Sequence, residues 1–200
     1  ISTKILWQKK IFGLDAQTIG YLSLKKTYAT QAFQVNLTKK LKKNIFLGAS
    51  YKLRSQPPNF NFYLNQSDFK SYNWENSVLE NQKFESQSVF ISHPKWGTIK
   101  GVWTSLNNYT FFNNITPLVQ LNKEFRVEVN QIDKKIDYFK IRFDQRINFG
   151  KFSWVNNVQY QRVNQEENSE DILTGPTALN VPKWLIRSTF MLTSSIFNKA

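Results

Sequence analysis

The segments VQLNKEFRVEVNQ (119–131) and YFKIRFDQRINF (138–149) decide the fold. In the first, Val119, Leu121, Phe125, Val127 and Val129 share one parity, and only Lys123 and Gln131 break the apolar row. Gln120, Asn122, Glu124, Arg126, Glu128 and Asn130 occupy the other parity. The second segment sets Phe139, Ile141, Phe143, Ile147 and Phe149 against Lys140, Arg142, Asp144, Arg146 and Asn148. A period of two places alternate side chains on opposite sides of an extended chain, so each segment reads as a strand with one apolar and one charged face.

Outward from these, 45–54 opposes Ile45, Leu47, Ala49, Tyr51 and Leu53 to Gly48, Ser50, Lys52 and Arg54. In 152–162, Phe152, Trp154, Val158 and Tyr160 oppose Ser153, Asn157, Gln159 and Gln161. Alternation is looser at 29–41 and 184–197 and weak at 17–25, 84–92 and 98–106, while 1–12 fits neither template. The reading predicts about nine or ten strands of about 9–14 residues, longer than the ~5–6 usual in soluble sheets and matched to the ~9–11 of a tilted membrane strand.

Tight turns are expected at Lys42-Lys43-Asn44, His93-Pro94-Lys95-Trp96-Gly97, Asn148-Phe149-Gly150-Lys151 and Asn198-Lys199. Longer polar or aromatic stretches, 55–72, 107–117 and 164–183, fall between them. Short turns at one end and long loops at the other are the habit of transmembrane barrels.

Composition agrees with that habit. The 200 residues include 17 Phe, 8 Tyr and 6 Trp, yet the formal charge is +13. No run approaches the ~20 apolar residues of a helical span, which excludes a helical membrane protein, and no signal peptide is visible. With no Cys, disulfides and thiolate metal sites are excluded. The chain begins at Ile1 and its single Met is Met191, so a single barrel domain over 1–200, incomplete at the N-terminus and at the C-terminus, is expected. Basic residues come as short pairs such as Lys9-Lys10, Lys39-Lys40 and Lys134-Lys135, suited to lipid headgroups or lipopolysaccharide phosphates at turns, without the long stripe of a nucleic-acid binder.

In hydrocarbon, a sheet persists only when it closes and leaves no unpaired edge. Its apolar side chains then face lipid and its polar ones line an aqueous interior. On this reading Glu124, Arg126, Glu128, Lys140, Arg142, Asp144, Arg146 and Gln159 face the lumen. Trp96, Phe149, Phe152 and Phe197 near the short turns, and Trp184 near a long loop, form interfacial girdles. On the polar parity of 119–131 and 138–149, four cations stand against three carboxylates, which predicts weak anion preference.

Other chemistry is poorly supplied. A lone histidine, His93, sits beside Pro94 in a turn, so neither a catalytic triad nor a histidine metal site assembles, and no enzyme activity or cofactor is expected. Glu166, Glu167, Glu170 and Asp171 read as a solvated loop, with a divalent ion as the sharper alternative.

Several strings carry a family likeness: PPNFNFYLNQSDFKSYNWEN (57–76), HPKWG (93–97), LNNYTFF (106–112), FGKFSWVNNVQYQRV (149–163), LNVPKWLIRSTF (179–190) and SIFNKA (195–200). In this order they resemble the putative porin family of Bacteroidota outer membranes. The resemblance implies a large outer-membrane β-barrel, longer than this chain, that passes small solutes; it brings no residue roles. The competing expectations are a soluble extracellular β-protein that binds glycan or nucleic acid through exposed aromatics and cations, and a barrel that serves as receptor or secretion component.

Overall fold

The computed structural model describes residues 2–23, 29–69, 72–114, 127–165 and 178–193. Its centre is one antiparallel sheet of nine strands: β1 (Ser2–Ile11), β2 (Leu14–Ser23), β3 (Thr30–Lys40), β4 (Phe46–Gln56), β7 (Gln82–His93), β8 (Gly97–Asn107), β11 (Ile136–Phe149), β12 (Phe152–Gln165) and β13 (Trp184–Leu192). They lie in chain order, as an up-and-down meander. Between β4 and β7 come a single helical turn, α1 (Phe60–Tyr63), and the pair β5 (Leu64–Asn65) and β6 (Trp74–Glu75). Between β8 and β11 a hairpin of β9 (Tyr109–Asn114) and β10 (Val127–Ile132) leaves the main sheet. The sheet is open: within the described residues β1 and β13 are its two edges.

Tight turns close one end of the sheet. Phe12 and Gly13, with φ of 48° and 75°, join β1 to β2 in the two-residue form whose twist matches a hairpin. Lys43 and Asn44 turn β3 into β4 with φ of 58° and 56°, and Gly150 carries φ 64° between β11 and β12. The expected turns at 42–44, 93–97 and 148–151 are therefore present, and Asn198-Lys199 lies outside the described residues.

Register sets the slant. Lys10, Asp15, Thr38, Gly48, Phe90, Lys100, Arg142, Gln159 and Leu185 stand side by side in one row. Beyond that row the hairpins run on by one residue to Ile11, two to Lys40, three to His93 and seven to Phe149 before they turn. The turns thus step down by six residues over six strands, about 20 Å against about 29 Å, an inclination of about 35°. Closed transmembrane barrels tilt their strands by a similar angle.

Among the described residues no second layer lies over the apolar face of the sheet. Ile141 is 41% exposed, Val89 51%, Trp103 51% and Ile186 73%, and the buried hydrophobic residues among those described are Leu106 and Ile136. Phe139 and Phe143 are partly exposed, not sealed in a dry centre.

One expectation needs correction. The stretch 119–131 alternates as cleanly as 138–149, but its described part forms β10, which pairs with β9 and not with the nine-stranded sheet. Asn108, at φ 56°, bends the chain after β8, so β11 takes the place beside β8 and the hairpin β9–β10 projects beyond it.

Candidate functional site

Pairing across an antiparallel sheet puts opposed residues on the same face, so the register sorts every strand residue to one side. Ala16, Leu37, Ala49, Val89, Gly101, Ile141, Tyr160 and Trp184 form one row of the apolar side. Charged residues on this side are Lys9, Lys39, Lys83, Glu85, Asp137 and Arg162, each within four residues of a strand end. The middle of the apolar face is therefore uncharged.

The opposite face reverses the pattern. It presents Lys4, Lys10, Lys40, Lys52, Arg54, Lys100, Lys140, Arg142, Arg146 and Arg187, against the carboxylates of Asp15 and Asp144. Ten cations to two acids is a far larger imbalance than the two best-patterned segments suggested. Lys100 and Arg142 are direct cross-strand partners, an arrangement of like charges that only a wet or anion-lined surface tolerates cheaply.

Of the residues assigned to this face from sequence, Lys140, Arg142, Asp144, Arg146 and Gln159 share it. Glu128 lies on β10, outside the nine-stranded sheet, and Glu124 and Arg126 fall outside the described residues. Lys52 and Arg54 join the face as the parity of 45–54 implies, and Lys10, Lys100 and Arg187, which the sequence did not mark, join it too. For Lys10, Lys100 and Arg187 the strands alternate too loosely for parity alone to sort them.

Asp144 is held on both sides. Arg142 reaches its Oδ1 with Nη2 at 2.7 Å and Nε at 2.8 Å, and the Asn157 amide donates to the same oxygen. Amides and hydroxyls elsewhere on the face pair along rows: Asn36 donates to Gln17 at 3.1 Å, and Ser50–Ser88 and Ser92–Thr98 hydroxyls meet at 2.7 Å each.

At the long-loop end, the buried side chains Gln82, Leu106, Ile136 and Gln161 all belong to the polar face, so the cover lies on that side. The cover is built from two loops. Gln131 donates to Glu80 O at 2.8 Å, Asn108 O at 3.0 Å and Thr110 Oγ1 at 3.0 Å, and its Oε1 accepts from Glu80 N at 2.9 Å. Asn108 Nδ2 adds a bond to Glu80 Oε2 at 2.7 Å. Phe62 and Trp74 pack on Phe112, with centroids 4.6 and 5.3 Å apart. A third segment crosses at Pro182, whose carbonyl accepts from Gln161 Nε2 at 2.7 Å.

The expected girdle aromatics take these places. Trp96 sits in the β7–β8 turn against His93, at 4.6 Å, and is exposed. Phe149 and Phe152 pair across the last short turn at 6.0 Å, and Trp184 lies on Tyr160 at 4.9 Å at the other end of the apolar face. Phe197 lies outside the described residues, as do Glu166, Glu167, Glu170 and Asp171. The apolar face also holds Trp7, Trp103 and Trp154, so every tryptophan of the nine strands is on that side. His93 Nδ1 accepts from the backbone N–H of Lys95 and Trp96, which makes it a turn residue.

A family model described as Putative porin matches residues 6–200 of the chain. No curated protein and no solved structure matches it.

Proposed function

From the chain's membership of the Putative porin family, we propose that the nine-stranded sheet is a sector of an outer-membrane β-barrel through which small solutes diffuse passively, with anions preferred. The observation that carries this reading is the sidedness of the sheet. Its apolar face stands uncovered, free of charge across its middle, while its polar face holds ten cations and two acids. A soluble sheet would bury the first face under a second layer. Lipid removes the need for one, provided that further strands or copies of the chain pair the edges of β1 and β13.

Anion preference follows from the same face, because a wall of one sign lowers the barrier for counter-ions and raises it for co-ions. Outer-membrane lipid and lipopolysaccharide are the neighbours of the apolar face and its girdle, and the lumen performs no reaction.

Two measurements test the reading. In vesicles containing lipids brominated in the acyl chain, fluorescence of Trp7, Trp103, Trp154 and Trp184 is expected to be quenched, whereas a water-soluble quencher reaches them poorly. In planar bilayers under a potassium chloride gradient, the reversal potential is expected on the chloride side. Cation-selective current, or tryptophans quenched only from water, overturns the proposal.

A further inference from the structure

We propose that Arg146 and Arg187 form a binding site for an oxyanion, a phosphate, sulfate or carboxylate borne by a small polar solute. The inference names the solute class for the conduit reading and rests on that reading for access from water. The two arginines belong to different strands, β11 and β13, and β12 runs between them. Asn157 of β12 pairs directly with Arg187 and, on its other side, with Asp144, two residues before Arg146. Arg146 and Arg187 both line one open cleft of about 600 Å³ on the polar face, together with Ser92, Thr98 and Asn157.

The local acid does not neutralise this pair. Asp144 also lines the cleft, yet its Oδ1 is taken up by Arg142 and Asn157. Among the described residues Arg146 and Arg187 make no ion pair or hydrogen bond, and both are exposed. Two unpaired arginines lining one cleft suit an oxyanion, since a guanidinium fork donates two parallel N–H bonds to a pair of oxygens. The Ser92 and Thr98 hydroxyls, hydrogen-bonded to each other at 2.7 Å, leave one neutral O–H to donate in the same cleft. The cleft lies toward the short-turn end, away from the folded loops, so a solute entering past the loops meets it after the Lys100–Arg142 row.

The test uses the chain folded in maltoside micelles, with inorganic phosphate as the probe followed by calorimetry and by phosphorus NMR line broadening. R146Q/R187Q is expected to weaken phosphate binding by at least about tenfold. R146K/R187K keeps the charge without the forks and is expected to lose about threefold. K9Q/K39Q, which removes two cations from the apolar face, is expected to bind as the parent does. Heat-modifiable gel mobility and circular dichroism check that each variant is folded. Phosphate binding unchanged in R146Q/R187Q overturns the site, as does parent-like binding by R146K/R187K or an equal loss in K9Q/K39Q. Reversal potentials in bilayers judge the conduit separately: anion preference with no arginine-dependent phosphate binding defeats the site alone, and arginine-dependent binding with no anion preference defeats the conduit alone.

Discussion

The ring of Phe90 lies over Gly48 on the neighbouring strand, so close that a Cβ at position 48 would stand 2.0 Å from its Cε1. This pair sits on the polar face, in the row that also holds Lys100 and Arg142. Glycine is costly within a strand, but here its missing side chain lets an aromatic ring fold flat against the sheet instead of projecting among the cations. At Gly20, by contrast, a Cβ would meet nothing within 4 Å. The two glycines should therefore respond oppositely to alanine: Gly20→Ala is expected to stabilise by about 0.5–1 kcal/mol, and Gly48→Ala to destabilise by about 1 kcal/mol as the ring leaves its rotamer. Urea unfolding in lipid vesicles measures both, and the double variant G48A/F90A should recover most of the Gly48→Ala loss.

Sidedness makes a second prediction. Lysine in place of Ile141, on the apolar face, is expected to cost about 2–4 kcal/mol in vesicles, whereas lysine in place of Gln159, on the polar face, should cost under about 1 kcal/mol. Equal costs would mean that the two faces see the same solvent.

The ion pair of Asp144 sets a third. Asp144→Asn removes one of the two carboxylates of the polar face and releases Arg142 from its 2.7 Å contact. Reversal potentials are expected to move further toward chloride, while Asn157→Ser, which leaves the charges in place, should move them little. A shift toward potassium in Asp144→Asn would contradict the assignment of this face to the ion path.

Removal of the loop tie gives a fourth. Gln131 bonds to Glu80, Asn108 and Thr110 together, so Gln131→Ala loses four hydrogen bonds, each worth about 0.5–1.5 kcal/mol, and leaves the direct Asn108–Glu80 bond. The cover over the polar face should loosen without unfolding the sheet. Limited proteolysis within 57–81 and open-channel current noise are both expected to rise, and unchanged proteolysis would show that the aromatic contacts of Phe62 and Trp74 and the Asn108–Glu80 bond hold the cover without Gln131.

The legible part of the main sheet is the part whose strands, β4, β11 and β12, obey a strict period of two. Residues 138–149 and 152–162 could be sorted by parity, and the structure groups Lys140, Arg142, Asp144, Arg146 and Gln159 on one face as expected. β1 was not legible: Leu6 and Trp7 are adjacent and large, so they fall on opposite faces and blur the alternation. Its turn was hidden too, since Phe12 occupies the left-handed region usually given to Asn or Gly. Residues 119–131 misled for the converse reason. Alternation reports that a strand has two different surroundings, and β10 satisfies it beside β9 as well as it would in the main sheet.

The amino-acid sequence by itself determined that this chain forms strands with one greasy and one charged side, because parity within a strand is a local property of extended backbone. Only the tertiary structure decided which residues of different strands become neighbours. Register depends on turn lengths and on backbone pairing between segments far apart in sequence, and it was register that set Arg146 and Arg187 around one cleft, brought Asn157 to Asp144, and laid Phe90 over Gly48.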